Sequence, residues 1–569
     1  MSALTVVDCT LRDGGFHNRW DFEPELVTAY LAAVDAAGVD WAEVGYRSLD
    51  ASGFAGALRY CDEDTLAALP ALATTRLALM LDARELVGKE AVVERLFGPA
   101  AASRVGLVRV ATGPGHVATA LDALARLHAL GYRTSINLMA WPTLAPDTRA
   151  AILAEVMGHA AVDVVYLADS YGSLYPDEVA ALAAPLAAGP KPWGIHLHDN
   201  LTLAFANALA ARAAGASWID GSVLGMGRGA GNLASELWLQ HVAAREGLVR
   251  YRAGPLHELV GKAMQPLRAR YGWGSSPPYA LSAQLGMHPM YAQELLESQR
   301  YTPSEVSAIL RAVHAAGAAR AFSRPALDAA ISARPSPPAT RSSVRPLTGP
   351  TTAAPAPAAA PRPLAAWRGG DWSARDVLIV GRGPSSRAHA DAINRWVRAA
   401  RPIVIECNHL PFIAASEDHL SAFILAANAL VMDEQALAAG KAVLVGQAAG
   451  AASGAAPDGA VFVEPYRVES GRLDPATSTL PADVVSMFAI AQAVRLGATR
   501  IAVVGFDGYL APDRAASARE RRMQEELVAF FELLARDLPM VKVLSLTPTT
   551  FPVPVRSIYG ELALRGVGP

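Results

Sequence analysis

Residues 6–20 read VVDCTLRDGGFHNRW, a short apolar segment that ends in a polar cluster containing Arg12 and Asp13. A carboxylate and a cation placed where a strand ends indicate chemistry at that point. Much later in the chain, the segment IHLHDN places His196 and His198 two residues apart on another predicted strand. Side chains at i and i+2 of a strand point to the same face, so both imidazoles can meet one ion. Two histidines and Asp13 leave open positions on a divalent metal, as a catalytic site requires.

The surrounding sequence alternates short β-branched or apolar segments with helical segments rich in Ala and Leu. The predicted strands are Thr5–Cys9, Trp41–Gly45, Leu77–Leu81, Gly106–Ala111, Thr134–Met139, Asp163–Ala168, Trp193–His198 and Trp218–Val223. Eight evenly spaced strands, each followed by a helix, predict a (β/α)8 TIM barrel over residues 1–251. Polar residues gather where these strands end, and that face carries the active site of such barrels. A single polar residue at such a junction is equally consistent with a cap.

The rest of the chain divides by composition into three further parts. Residues 252–333 have a helical pattern and predict a helical extension of the barrel. Residues 334–371 are rich in Pro, Ala, Ser and Thr, cannot bury enough apolar surface to fold, and predict a disordered linker. Residues 372–569 return to alternating strands and helices and predict a Rossmann-like α/β domain.

The second α/β domain opens with DVLIVGRGPSS, an apolar strand that runs into a glycine turn. Backbone N–H groups at the start of the following helix can hold a phosphate, and glycine lets a ligand approach closely. The candidate nucleotide-binding residues are therefore Gly381, Gly383, Ser385 and Ser386. GRGPSS is not GxGxxG, so it specifies no particular nucleotide.

Composition excludes several classes of protein. Among 569 residues, 52% are hydrophobic and 18% are charged, and the formal net charge is -3, so no bulk attraction to nucleic acid or anionic lipid is expected. The three cysteines show no CxxC spacing, which fits a reducing cytoplasm. The amino terminus lacks the features of a signal peptide, and no apolar run is long enough to span a membrane. The sequence predicts a cytoplasmic protein.

Five motifs of the first domain occur in one order. They are DCTLRDGG, AAGVDWAEVGYRS, LADSYGSLYPDEV, HLHDN and GMGRGAGN. Together they resemble the DRE-TIM metallolyases, the family that includes HMG-CoA lyase, and within it the 4-hydroxy-2-oxovalerate aldolases. The resemblance implies a TIM-barrel lyase in which Asp13, His196 and His198 bind a divalent cation, namely manganese, with magnesium or cobalt as alternatives. It also implies that Arg12 stabilises the enolate oxygen.

Further roles follow from the same resemblance. The histidine downstream of the first motif, His17, would act as acid/base, and Tyr291 falls where the family carries a tyrosine near its site. Two residues lie between LRDG and His17, a wider spacing than in the family. EVGYRS replaces the EVAHGDG of the hydroxyoxovalerate aldolases, which predicts a different acceptor substrate.

The chemistry of these groups supports the same reaction class. A 2-oxo acid such as pyruvate can chelate the ion, which then acts as a Lewis acid toward its enolate. Arg12 adds fixed positive charge, and His17 is the nearest candidate for the general base. The sequence predicts a pyruvate-type aldolase acting on an aldehyde, expected to be a homo-oligomer. A Claisen condensation with an acyl-CoA on the same barrel is the alternative.

Three more residues are predicted to contact substrate, Glu43, Ser170 and Asn232. Glu43 can pair with Arg12 or carry a proton, and pairing is favoured. Asn232 follows the eighth strand and can cap the helix predicted to start near Leu233 or reach the metal, and capping is favoured.

Part of the second domain also resembles a known family. GRGPSS, ECN and ATSTLPADVVSMFAIAQAVRLGATRIAVVGFDGY are similar to the bacterial sialyltransferases that use CMP-activated sugars. Those enzymes need a histidine base beyond the last glycine-aspartate strand, but this chain has no histidine after His419. The resemblance therefore implies binding of a nucleotide or nucleotide-sugar without sugar transfer, and glycosyltransferase activity is the alternative.

Overall fold

The computed structural model gives the structure of most of the chain. It describes residues 3–298, 301–332, 364, 367, 371–424, 435–448, 462–482, 484–510 and 518–565. The predicted linker, residues 334–371, lies outside the described residues apart from positions 364, 367 and 371. The described residues form two compact units, one with a closed barrel and one with an open sheet. Within these ranges no helix has the length and apolar character needed to cross a membrane.

The first unit contains an eight-stranded parallel barrel, which confirms the predicted TIM barrel. Its strands are β1 (Thr5–Asp8), β2 (Trp41–Tyr46), β3 (Arg76–Asp82), β4 (Val105–Thr112), β5 (Arg133–Leu138), β6 (Val164–Asp169), β7 (Trp193–Leu197) and β8 (Trp218–Gly221). Each strand pairs with the next, and β8 closes the barrel by pairing with β1. The α-helices that accompany these strands are Thr10–Asn18, Pro24–Ala37, Glu63–Ala68, Val93–Leu96, Val117–Ala129, Pro146–Gly158, Pro176–Ala187, Ala204–Ala213 and Ser235–Glu246.

The barrel interior is apolar near the amino ends of the strands and contains buried charged side chains beyond that apolar layer. Near the amino ends of the strands it is filled by a cluster of buried side chains, in which the rings of Trp41 and Trp218 stack 6.4 Å apart. Parallel strands are buried on both faces, which explains why their sequences are nearly continuously apolar. Glu43, Arg109 and Asp220 each stand two positions after a residue of this cluster, so the buried charge on the carboxyl side of the cluster places the candidate site.

Helices follow the barrel up to residue 332. They are Gly254–Leu259, Gln265–Tyr271, Pro277–Gln284, Met290–Glu297, Pro303–Ala315 and Arg324–Ser332, with a π-helical turn at Val260–Met264. The later helices share an apolar core that includes Tyr291, Ile309 and Leu310. Residues 252–332 therefore contribute helices and no strand among the described residues.

The second unit is an open parallel sheet. Its strands are β9 (Asp376–Val380), β10 (Ile403–Cys407), β11 (His419–Ile424), β12 (Ala442–Ala448), β13 (Phe462–Val468), β14 (Thr479–Leu480), β15 (Arg500–Val504) and β16 (Lys542–Ser545). The order across the sheet is β14-β13-β12-β11-β10-β9-β15-β16. The α-helices given for this unit are Pro384–Ala388, Ala390–Ala400, Val485–Arg495, Ala518–Asp537 and Ile558–Leu564.

The strand order creates a switch point in this sheet. From β9 the chain proceeds outward through β10 to β14, and it then returns to place β15 on the other side of β9. Connections from β9 and β15 thus leave in opposite directions. Such a divergence opens a crevice at the carboxyl ends of the two strands, where α/β proteins bind ligands.

Candidate active site

A cavity of about 380 Å³ lies at the carboxyl ends of the barrel strands. Five of the predicted site residues line it, namely Arg12, Asp13, Ser170, His196 and His198. They come from the loops or ends of β1, β6 and β7, which are far apart in sequence. Closure of the barrel brings them to one place.

Asp13, His196 and His198 offer one ligand atom each, and these three atoms lie within 4.8 Å of one another. His196 Nδ1 donates to Asp220 Oδ2 at 3.0 Å, and His198 Nδ1 donates to the carbonyl of Gly231 at 3.3 Å. With Nδ1 occupied in both rings, the unprotonated Nε2 atoms are the ones available to a metal. Acceptors behind ligating histidines are typical of metal sites, so these residues fit a divalent ion.

Burial and neighbouring charge set the protonation states of this group. Although burial alone would raise it, the pKa of Asp13 is held well below its usual range, chiefly by the charge of Arg12. Burial, followed by nearby positive charge, lowers the pKa of His198 far below its usual value despite the opposing Asp13 carboxylate. An ionised carboxylate beside a neutral imidazole is the form that binds a metal.

A buried network of ion pairs positions the side chains of the site. Arg12 donates from Nε to Glu43 at 2.7 Å and from Nη1 to Asp13 at 2.5 Å. Arg109, which is fully buried, pairs with the same Glu43 at 3.2 Å and with Asp220 at 2.7 Å. Asp220 is also the acceptor for His196, so one chain of contacts connects both sides of the cavity. Glu43 lies in this network in an ion-pairing position and not on the cavity wall.

The loop after β8 covers the metal-ligand side of the cavity. Asn232 donates from its amide to Asp13 Oδ2 at 2.8 Å. The following helix begins at Ser235 with Ala234 as its N-cap, so the expected capping by Asn232 is wrong. Gly227 permits this close approach, because a Cβ there would lie 2.3 Å from the Asn232 amide nitrogen and 2.7 Å from Asp13 Oδ2.

The structure does not bring Tyr291 to the cavity. Its side chain is fully buried in the core of the later helices. Its hydroxyl donates to the carbonyls of Ala318 and Ala321 and accepts from the Ser323 amide, all at 2.8 Å. A hydroxyl satisfied in this way stabilises the helical segment, so the predicted catalytic role of Tyr291 is corrected to a structural one.

His17 also differs from the expectation. It lies in the last turn of helix Thr10–Asn18, and its Nε2 donates to the carbonyl of Gly227 at 2.7 Å. Its ring lies 5.9 Å from that of Trp273, whereas the neighbouring Phe16 lines the cavity. His17 therefore supports the Gly227 loop from outside the cavity wall.

Sequence reasoning missed several groups at the cavity. Arg228 lines it, with Nη2 3.5 Å from the carbonyl of Ser170 and 3.4 Å from His198 Nε2, and its buried Nε has no partner. Tyr46 lines the cavity as well, and its hydroxyl has no hydrogen-bond partner among the described residues. Both residues lie inside motifs quoted above, GMGRGAGN and EVGYRS. Their position as polar residues within a motif was the sequence signal that could have identified them as site residues.

The second unit has a larger cavity, of about 880 Å³, at the crevice between β9 and β15. Gly381 and Gly383 of the predicted nucleotide-binding turn line it. Two backbone amides of the turn are already used within the protein, however. The Gly383 amide donates to the carbonyl of Gly505 at 2.9 Å, and the Ser385 amide donates to Asp507 Oδ2 at 2.9 Å.

The serine hydroxyls of this turn are used internally too. Ser385 donates to Thr547 at 3.0 Å, and Ser386 donates to the carbonyl of Gly383 at 2.8 Å. The carboxylate of Asp507 occupies the space beside Gly383, where a Cβ would lie 2.1 Å from Oδ2. A phosphate beside Gly383 would meet this negative charge, whereas the Arg382 side chain of the same turn also lines the cavity, so phosphate binding by the GRGPSS turn stays a prediction.

A family model described as HMGL-like matches residues 3–253. The 4-hydroxy-2-oxovalerate aldolase of Brevibacillus brevis is 34% identical over 251 residues, which are 42% of this chain and 68% of that protein. The 4-hydroxy-2-oxovalerate aldolase of Moorella thermoacetica is 31% identical over 309 residues, 52% of this chain and 86% of that protein.

The chain belongs to the HMGL-like family. It is an enzyme of the lyase class, an aldolase, and the resemblance inferred from its motifs is confirmed for the barrel. The HMGL-like aldolases use a divalent metal, which agrees with the three converging ligands. A further relative, from Mycobacterium bovis, is a 4-hydroxy-2-oxohexanoate aldolase and is 34% identical over 238 residues, 41% of this chain and 67% of that protein.

The first prediction concerns the buried network. Replacing Arg109 with Leu leaves Glu43 and Asp220 as buried carboxylates that have lost a cation, which should lower the free energy of unfolding of the barrel by ~3–5 kcal/mol. Arg84→Leu is the control, because the Arg84 side chain is 65% exposed and its pair with Asp82 should contribute little. Thermal and denaturant unfolding measure both, and equal effects of the two substitutions would contradict a special role for Arg109.

Proposed function

We propose that the barrel forms or cleaves a carbon–carbon bond through the enolate of a 2-oxo acid such as pyruvate. Asp13, His196 and His198 would hold the divalent metal, Mn²⁺ with Mg²⁺ or Co²⁺ as alternatives. The observation that carries the proposal is the convergence of three buried ligand atoms beside two guanidinium groups in one cavity. The ion, when bound, would supply Lewis acidity at the keto oxygen.

The protein's own charges favour an enolate at this position. In the network, Asp13, Glu43 and Asp220 are opposed by Arg12 and Arg109, so one negative charge remains. The guanidinium of Arg228 balances it. A divalent ion would then leave two positive charges, which match the carboxylate and the enolate oxygen of an ionised 2-oxo acid. Negative charge that develops in the transition state is thereby stabilised by groups already in place.

Arg12 and Arg228 have different surroundings and are assigned to different groups of the substrate. Two nitrogens of Arg12 are bound to Asp13 and Glu43, which fixes the plane of its guanidinium and leaves Nη2 for the substrate. Arg228 has no carboxylate within ion-pair distance among the described residues. We assign the enolate oxygen to Arg12 and the substrate carboxylate to Arg228, because an arginine without an internal partner can form a bidentate pair.

Tyr46 is the group we assign to proton transfer at the aldol oxygen. Tyr46 lines the cavity, whereas His17 does not. Burial raises the pKa of Tyr46, although Arg12 and Arg59 oppose that effect. A phenol kept protonated in this way can donate its proton to the alkoxide oxygen that develops as the bond forms, and in cleavage the resulting phenolate would take the proton of the aldol hydroxyl.

Further residues that line the cavity indicate the class of acceptor substrate. They are Asp50, Arg59, Asp82, Arg84 and Glu85, charged groups that a short apolar aldehyde would leave unused. A polar, hydroxyl-bearing aldehyde fits such a wall better, because its hydroxyls can bond to both carboxylates and guanidinium groups. A Claisen condensation remains the alternative, and consumption of an acyl-CoA thioester would distinguish it.

The second prediction tests the metal ligands. Asp13→Asn and His196→Ala should abolish exchange of the pyruvate methyl hydrogens with deuterium from D2O, measured by NMR with Mn²⁺ present. This assay needs no knowledge of the acceptor. His128→Ala, an exposed histidine on helix Val117–Ala129, is the matched control and should leave exchange unchanged. Full exchange after exhaustive chelation, with no metal by elemental analysis, would contradict the proposal.

The third prediction separates the two arginines. Arg12→Lys should lower kcat and kcat/KM together by about 100-fold or more, since a point charge does not replace a fixed planar donor. Arg228→Gln should mainly raise KM for pyruvate, because it removes an interaction made in the ground state as well. Steady-state kinetics measure both. An Arg12→Lys effect confined to KM would assign the enolate contact elsewhere.

The fourth prediction compares the two acid/base candidates. Tyr46→Phe should lower aldol turnover about 100-fold or more, as expected when a positioned proton donor is lost. His17→Ala should have a much smaller effect. Product masses from pyruvate and a panel of hydroxylated aldehydes measure turnover. Loss of turnover in His17→Ala with Tyr46→Phe active would reverse the assignment.

For the second unit, we propose binding of a nucleotide or nucleotide-sugar in the 880 Å³ cavity, without transfer of the sugar. The cavity is within the size range of small-molecule and cofactor sites and lies at the switch point of the sheet. No histidine lines it. Calorimetric titration of the full chain with CMP, CDP, UDP and their sugars tests the proposal. A glycosylated product would contradict the lack of transfer.

A further inference from the structure

The amino end of helix Val485–Arg495 forms one wall of the second cavity and offers hydrogen-bond donors there. Val484, Val485 and Ser486 line the cavity at the amino end of this helix. The helix has no side-chain N-cap, and its first backbone bond runs from the Phe488 amide to the carbonyl of Val484. Among the described residues, the amides of Val485, Ser486 and Met487 therefore have no acceptor.

Ser486 provides an independent observation at the same place. Its residue surface is only 7% exposed, it lines the cavity, and its hydroxyl has no hydrogen-bond partner among the described residues. A buried hydroxyl normally finds a partner in the fold. A ligand in the cavity would supply the missing acceptor.

The amides of Val485 and Ser486, the Ser486 hydroxyl and the positive end of the helix macrodipole thus belong to one wall of the cavity. This is the donor pattern that binds phosphate at helix amino termini. In the GRGPSS turn, by contrast, the amides of Gly383 and Ser385 and both serine hydroxyls already have acceptors, and Asp507 adds negative charge, so the Arg382 side chain is the donor that the turn contributes to the cavity lining.

The remaining lining groups complement the rest of a nucleotide. Asp507 and Glu520 are hydrogen-bond acceptors, and the buried Oδ1 atom of Asp507 has no partner. Carboxylate oxygens are acceptors only and can accept hydrogen bonds from ribose hydroxyls. The aromatic side chains of Phe506, Tyr509 and Phe551 also line the cavity and can stack on a base.

We propose that the second unit binds a nucleotide with its phosphate at the amino end of helix Val485–Arg495, held by the amides of Val485 and Ser486 and the hydroxyl of Ser486. Asp507 accepts from the ribose hydroxyls and keeps the phosphate away from the glycine turn. The inference rests on the nucleotide-binding role proposed for this cavity and names the anion-binding wall within it.

The test is calorimetric titration of the full chain and three variants with CMP, CDP, UDP and, as a ligand without phosphate, cytidine. Ser486→Asp should reduce the affinity for the phosphorylated ligands about 100-fold or more by charge repulsion. The same aspartate interacts favourably with the helix dipole, so folding should be retained, which thermal unfolding checks. Ser486→Ala removes one neutral hydrogen bond and should weaken binding about 5-fold.

Ser385→Ala is the matched control, because it removes a buried serine hydroxyl from the turn on the opposite wall and should leave affinity unchanged. Cytidine should bind more weakly than CMP and respond little to Ser486→Asp. Nucleotide binding by the parent chain that survives in folded Ser486→Asp would overturn the assignment of the wall, while the nucleotide-binding role stands. A loss in Ser385→Ala instead would return the phosphate to the turn.

If Ser486→Asp fails to fold, unchanged affinity in Ser486→Ala overturns the inference and a 5-fold loss supports it. No binding of any nucleotide by the folded parent chain would overturn the nucleotide-binding role itself.

Discussion

The barrel site depends on a cation buried in its centre. Arg109 is fully buried and lies between Glu43 and Asp220, and its guanidinium also stacks on the ring of Tyr166 at 4.3 Å. Burial opposes the charge, but the two carboxylates raise the pKa of Arg109 above its ordinary value. Charges removed from water are stable only when paired, so each member of this network fixes the position of the next.

The same network also positions the side chains that would contact the substrate and the metal. Glu43 holds the Arg12 guanidinium, and Asp220 holds the His196 ring. A site that must stabilise charge as it develops gains from groups that do not need to move. The rigid network supplies this preorganisation, whereas the loop with Arg228, Gly227 and Asn232 covers the same site from above and contacts Asp13.

A carboxylate has a comparable effect in the second unit. Asp507 accepts from the Ser385 amide, and a Cβ at Gly383 would lie 2.1 Å from its Oδ2 atom, so part of a turn that has the composition of a phosphate loop is already occupied. The amides of Val485 and Ser486 have no acceptor among the described residues, and the Arg382 side chain of the turn also lines the cavity. In both units a carboxylate therefore decides which neighbouring groups are left for a ligand.

The sequence by itself determined the barrel, its order of strands and the three metal-ligand candidates, because apolar periodicity and the i, i+2 spacing of His196 and His198 are local properties. Glu43, Arg109 and Asp220 are isolated polar residues in separate strands, and their pairing exists only once the barrel closes. Tyr291 was misassigned because a short motif does not show where its hydroxyl points. The use of the Ser385 amide within the GRGPSS turn could not be predicted, because its acceptor, Asp507, follows β15 late in the chain. Only the tertiary structure could decide these points, since each depends on which polar atoms already have a partner across long separations in sequence.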